Sequence, residues 1–109
     1  MADFVYKSRK SECPYELALA TIAKKWKPRI LMELARGSCR FGDIRYALGS
    51  VSDKMLSSAL AEMTADGLVS RTSFSEVPPR VEYAMTPQGE ALWAAIQPLK
   101  AWSEKVSEN

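Results

Sequence analysis

A chain of 109 residues with 47% hydrophobic and 26% charged side chains has the composition of one packed domain spanning 1–109, not of a disordered tail. It contains no histidine, so the commonest general base and metal ligand is missing, and no apolar run approaches the roughly 20 residues that cross a bilayer. The net charge of +2 hides an asymmetry: residues 1–40 carry nine Lys or Arg against four acids, whereas 41–109 carry six against nine, and a basic front half suits a polyanion.

Met1–Lys10 is polar and charged with no apolar segment behind it. This predicts an intracellular, cytoplasmic protein whose two cysteines rest as thiols. Pro14 suits a first helical position, and Leu19, Ile22, Ala23 and Trp26 follow helical spacing, which predicts a buried face. Pro28 stops that helix and starts a second, carrying Ile30, Leu31, Leu34 and Ala35 and ending at Gly37. Ser38–Phe41 has room for one short strand or a turn. A short helix with Ile44, Tyr46, Ala47 and Leu48 follows and breaks at Gly49-Ser50.

Ser52 then reads as an N-cap, with Asp53 near the positive helix end. That helix runs to Asp66 and stops at Gly67. Its expected core stripe is Met55, Leu56, Ala59, Leu60 and Met63, and its other face shows Lys54, Ser57, Ser58, Ala61 and Glu62. The period then changes to two. Leu68–Phe74 and the Val81, Tyr83, Met85 alternation predict paired strands joined by a projecting, proline-rich loop, 75–80. Thr86-Pro87 opens a last helix whose Leu92, Ala95, Leu99, Trp102 and Val106 form a coiled-coil-like seam, with Pro98 expected to kink it.

Two short helices joined by a Gly turn, then a two-stranded ribbon, predict a mainly α winged helix-turn-helix. Such a pair places its second helix in the major groove of duplex DNA, with its N-terminal residues on base edges and the wing beside the backbone. The candidate DNA contacts are therefore Ser52, Lys54, Ser57 and Ser58 on the recognition helix and Arg80 on the wing, with Lys27 and Arg40 as phosphate contacts. The plain alternatives are a solvated helix face for the first four and, for Arg80, pairing with Glu76 or Glu82.

Cys13-Pro14, Lys25-Trp26-Lys27, Arg40-Phe41, Lys54-Met55-Leu56, Asp66-Gly67-Leu68-Val69, Pro78-Pro79-Arg80-Val81-Glu82-Tyr83 and Thr86-Pro87-Gln88-Gly89 lie in that order along the chain. Over about residues 12–102 the sequence resembles the HxlR family of bacterial and archaeal transcription regulators. The wing motif after Asp-Gly-Leu-Val is the most specific part of the match. The resemblance implies a helix-turn-helix at 41–66, a wing at 68–86, and a homodimer held by an N-terminal helix, 12–26, and a C-terminal helix, 87–109.

Leu19, Trp26, Leu92, Ile96, Leu99, Trp102 and Val106 are the expected interface residues. The implied partner is a near-palindromic operator; a dimer bound over a promoter is expected to block polymerase or, less often, recruit it, and no cofactor is expected. In some members the cysteine before the first helix responds to oxidants or electrophiles, and Cys13 occupies that place. Cys39 is a second candidate thiol, against the plainer reading of a buried filler. A helix N-terminus with Arg9 or Lys10 nearby is the expected source of any Cys13 reactivity, against the plainer reading of a small, partly buried residue with no redox role. Many members carry arginine where this chain has Ala61, a departure that reduces the expected DNA contact.

Other classes fit less well. There is no Gly-rich phosphate loop, no Gly-x-Ser-x-Gly elbow, and two distant cysteines make no zinc site, so an enzyme is not expected. A winged helix used only for protein contacts would expose an apolar wing or recognition face, whereas this one is rich in Ser and Lys. Trp26, Trp93, Trp102 and Tyr15 are candidates for lining an effector pocket at the dimer junction, although aromatics at helical spacing more often belong to the core.

Overall fold

The computed structural model describes residues 3–108. A small hairpin precedes the first helix, with strand β1 (Phe4–Tyr6) antiparallel to β2 (Arg9–Ser11). The sequence gives little sign of it: the strands have three residues each, and Lys7 rather than Gly or Asn takes the positive φ of 55° at the turn.

Helix α1 (Pro14–Ile22) starts with proline in its first turn and ends before Lys24. The expected single face through Trp26 therefore does not form. Thr21 and Ile22 are buried, Leu19 and Ala23 are exposed, and Trp26 enters the core from the turn leading into α2 (Lys27–Leu34). Pro28 fits the first turn of α2, where its missing N–H costs nothing, and inside a helix continued from α1 it would remove a hydrogen bond and crowd the carbonyl four residues back.

Helix α3 (Phe41–Leu48) is held at its start by Asp43, whose carboxylate accepts the Arg40 N–H at 3.2 Å. Gly49, at φ +75°, turns the chain into α4 (Asp53–Ala65), where the Ser52 hydroxyl accepts the Met55 N–H at 3.1 Å. Strands β3 (Val69–Phe74) and β4 (Arg80–Met85) pair antiparallel, from Val69↔Met85 to Phe74↔Arg80. Cys39 joins this ribbon by two backbone bonds with Tyr83, of 2.9 and 2.8 Å, which ties the segment before α3 to the wing.

Helix α5 (Pro87–Val106) runs unbroken past Pro98. Thr86 caps it by accepting the Gly89 N–H at 3.0 Å and also donates to the Gly67 carbonyl at 2.5 Å. A side chain at Gly89 would place its Cβ 2.1 Å from the Leu68 carbonyl oxygen, so glycine is what lets α5 start against the wing.

The core is Ile22, Trp26, Ile30, Leu31, Leu34, Ile44, Leu48, Val51, Leu56, Leu60, Met63, Leu68 and Val69. Met55 and Tyr46, expected on apolar faces, are exposed instead. Residues 98–108 of α5 and its tail are exposed all round. Consistent with this projecting arm, the radius of gyration is 15.3 Å, where a compact chain of this length has about 13 Å.

Candidate nucleic-acid interface

Glycine at 49 and the Ser52 cap aim the N-terminal turn of α4 away from the core. Asp53, in that first turn, forms an ion pair with Arg45 of α3, which braces the two helices across their turn. Leu56, Leu60 and Met63 face inward, leaving Lys54, Ser57, Ser58 and Ala61 exposed on the opposite side. Lys54 makes no ion pair among the described residues. A cation, two hydroxyls and the capped start of the helix thus share one solvent-facing surface.

On one flank of α4 lies a hollow of about 430 Å³, lined by Ser57, Ala61 and Thr64 from the helix and by Arg71 and Tyr83 from the ribbon. Arg71 is exposed, and its only side-chain partner among the described residues is the Ser73 hydroxyl at 3.3 Å. Sequence reasoning passed over it. The signal was present: Arg71 sits two residues after buried Val69 in a strand bearing no acid.

Arg80 is placed differently. Its guanidinium pairs with Glu76 at 2.9 Å and Glu82 at 3.0 Å and stacks on Phe74 at 4.0 Å, so both rival acids hold it. This is the structural arrangement of a wing brace. Arg40 is exposed at the start of α3, with no side-chain ion pair among the described residues.

Lys27, expected to touch phosphate, is a correction. Its side chain is 0% exposed, bonds Glu62 of α4 at 2.7 Å and donates to the Thr21 carbonyl at 3.3 Å. Asp66 lies 4.0 Å away. The first turn of α2 points into a cluster completed by Arg9 of β2, which meets Glu62 at 2.9 Å and Asp66 at 2.6 Å. The Lys27 hydrogen bond is the main reason the Glu62 carboxyl is held below its ordinary pKa of 4.5, against the opposing effect of burial. Tyr6 adds a hydroxyl bond of 2.5 Å to the Asp66 carbonyl, and its own pKa is pushed up, first by burial and then by Asp66.

Cys13 is half-buried at the start of α1, its N–H donating to the Ser11 hydroxyl at 3.0 Å. The two cations expected to assist it are engaged elsewhere, Arg9 in the cluster above and Lys10 with Asp3 at 3.5 Å. The Cys39 thiol points at the carbonyls of Glu33 and Gly37, and burial, then Asp43 and Glu33, push its pKa above the ordinary 9.0. That environment keeps Cys39 protonated.

Of the expected interface residues, Leu19, Leu99, Trp102 and Val106 are exposed, and Leu92 and Ile96 are half-buried. Trp26 is a correction: it is 5% exposed inside the core of its own chain. Nor do the aromatics share one pocket. Trp26 and Trp93 line separate hollows, and Tyr15 and Trp102 are exposed.

The helix pair, the exposed face of α4 and the ribbon beside it define a winged helix-turn-helix. Residues 21–109 match the model of the HxlR-like helix-turn-helix family, and the chain belongs to that family of transcriptional regulators. It is 38% identical over 93 residues to the HTH-type transcriptional regulator YtfH of Escherichia coli K12, a match covering 85% of this chain and 74% of YtfH. Among solved structures it is similar to a MarR-family transcriptional regulator from Enterococcus faecalis V583, at 46% identity and a TM-score of 0.79, covering 84% of this chain and 83% of that one. It is also similar to the redox regulator HypR in its oxidised form, at 35% identity and a TM-score of 0.80, covering 89% of this chain and all 100% of HypR. No helix among the described residues is long and apolar enough to cross a membrane.

Proposed function

We propose that the protein binds duplex DNA sequence-specifically as a homodimer and represses transcription from a near-palindromic operator. The observation that carries this reading is the exposed face of α4, with Ser52, Lys54, Ser57 and Ser58 beside the acid-free Arg71 of the ribbon. Serine hydroxyls and a lysine reach base edges and phosphates, and an arginine with no acid partner among the described residues reaches the adjoining strand from the base of the wing. Arg40 is a further phosphate contact. The two copies pair through α1 and α5, whose Leu19, Leu99, Trp102 and Val106 leave apolar surface uncovered. Pairing sets two recognition helices about one helical turn apart on the operator.

A thiol-linked input at Cys13 belongs to the same reading. Its support is the cysteine's position at the head of α1, the helix proposed to pair, and the likeness to a redox regulator. Such a signal acts on DNA affinity through the spacing of the two recognition helices. The protein is expected to work in the cytoplasm, at the nucleoid.

The test is fluorescence anisotropy of the reduced protein with an operator selected from random duplexes, against a scrambled duplex. Tight, salt-sensitive binding to the selected duplex, weakened at least tenfold by Arg71→Ala, is expected. Equal weak binding to both duplexes would sink the reading. Loss of affinity on diamide treatment in the wild type but not in Cys13→Ser tests the thiol input.

A further inference from the structure

On the flank of α4 away from the wing, the turn between α1 and α2 and the first turns of α4 enclose a hollow of about 300 Å³. Lys24, Lys25, Lys54 and Ser58 stand on its rim, all exposed. Glu62 also lines it but does not cancel this charge. Its carboxylate is taken by buried Lys27 at 2.7 Å and by Arg9 at 2.9 Å, while Lys24 is more distant, at 3.7 Å, and 64% exposed. Lys25 lies over the Trp26 ring, 4.9 Å from its centroid. Trp26 lines the hollow too, and its indole N–H is buried with no acceptor among the described residues. Lys25 and Lys54 have no carboxylate partner among the described residues, Lys24 has only the shared Glu62, and the Trp26 N–H is unmet, so the rim is short of anionic acceptors.

We infer that this hollow takes one backbone phosphate of bound duplex DNA, held by Lys24 and Lys25 from the turn and Lys54 from α4. The inference rests on the DNA-binding reading above and extends its footprint to a segment outside the helix-turn-helix and the wing. A helix with its side chains is about 10–12 Å across, and the major groove is about 12 Å wide. A helix seated there fills the groove, so both flanks meet the backbones that form its walls. Arg71 occupies one flank, and the Lys24–Lys25 turn occupies the other. Lys54 and Ser58 belong both to the groove-facing surface and to this rim, which puts the two contacts in register.

The experiment compares Lys24→Gln/Lys25→Gln with Lys7→Gln/Lys10→Gln. The second pair removes the same charge from the hairpin, where Lys7 packs by Gly67 at the far end of α4. Anisotropy titrations use the selected operator and a random duplex at several salt concentrations, with circular dichroism melts to establish that both variants fold. Loss of one phosphate contact lowers the slope of log affinity against log salt by about 0.9 per protomer. The weakening is expected to be alike on both duplexes, because phosphate contacts carry no sequence information. The hairpin variant is expected to keep the wild-type slope.

An unchanged slope in Lys24→Gln/Lys25→Gln, while the wild type binds the operator, overturns the phosphate site and leaves the DNA reading standing. Equal slope changes in both variants overturn it as well, as general charge and not local contact. No wild-type binding to either duplex overturns both readings. Titration of tryptophan fluorescence with inorganic phosphate separates the remaining source. Saturation in the low millimolar range, abolished in Lys24→Gln/Lys25→Gln but with an unchanged DNA slope, assigns the hollow to a free anion and overturns the backbone assignment.

Discussion

Lys27 and Glu62 are partners with unequal alternatives. Without Glu62, the Lys27 ammonium stays fully buried with only the Thr21 carbonyl and Asp66 at 4.0 Å. Without Lys27, Glu62 keeps Arg9 and Lys24 and is partly exposed. Removing one partner of a buried pair costs on the order of 3–5 kcal/mol, so Glu62→Leu is expected near that range and Lys27→Met clearly below it. Glu62→Leu/Lys27→Met should recover much of the loss, and urea melts of the three variants measure the order directly. The same bond sets a pH dependence. Because the folded Glu62 carboxyl lies below its ordinary 4.5, the stability it contributes is complete above that value and is lost as the pH falls through its folded pKa. Cys39 acts at the other end: its pKa is raised above 9.0 in the fold, so stability is lost as the pH rises past the value of the unfolded thiol. Thermal melts across pH should show the acid limb shrink in Glu62→Leu/Lys27→Met and the alkaline limb shrink in Cys39→Ala.

Among the elements, α4 carries two side-chain contacts at its start. Its cap, the Ser52 hydroxyl on Met55 N–H, and the Asp53–Arg45 pair both lie at the end proposed to enter DNA. Ser52→Ala is expected to destabilise the fold by about 1 kcal/mol through loss of the cap. Its DNA affinity should fall further than a matched cap variant elsewhere, Thr86→Ala, which uncaps α5; calorimetry and anisotropy on both variants separate the two effects. The wing ribbon is braced by Arg80 between Glu76 and Glu82 and by the Cys39–Tyr83 bridge. Arg80→Ala is therefore expected to change wing order, read as faster amide exchange at 74–82, more than Arg71→Ala does. An opposite ranking would return Arg80 to the list of free cations.

At the scale of the whole molecule, the second half of α5 projects with Leu99, Trp102 and Val106 about half uncovered or more, at 53%, 61% and 49%. A helical arm of that length gains little stability alone, since helices in water depend on packing of an apolar face. A second copy supplies that packing under the homodimer reading. Leu99→Glu/Trp102→Glu should then move the protein from twice the mass of one chain to the mass of one in light scattering. It should also remove the concentration dependence of the melting temperature expected for a dimer. A wild-type monomer at all concentrations would contradict pairing.

Local chemistry was enough to place most elements, because their limits depend on neighbouring residues. Pro14, Gly49, Ser52, Gly67 and Thr86-Pro87 each act within a few residues, and the change of period after Gly67 marks the wing. The hairpin escaped because its three-residue strands and Lys7 turn carry no distinctive local preference. The site was legible where exposure follows from helical period, as for Lys54, Ser57 and Ser58, and illegible where a charge finds a partner far along the chain. Lys24, Lys25 and Lys27 are near-identical neighbours in sequence, yet only Lys27 turns inward, because α4 brings Glu62 to it from 35 residues away. Arg71 and Arg80 are likewise one residue type on one ribbon. The helix pair, the ribbon and the polar face of α4 follow from residues close together in the chain. Which cations are bound within the fold and which remain for a partner follows from packing, since ion pairing depends on distance in space and not on spacing in the chain.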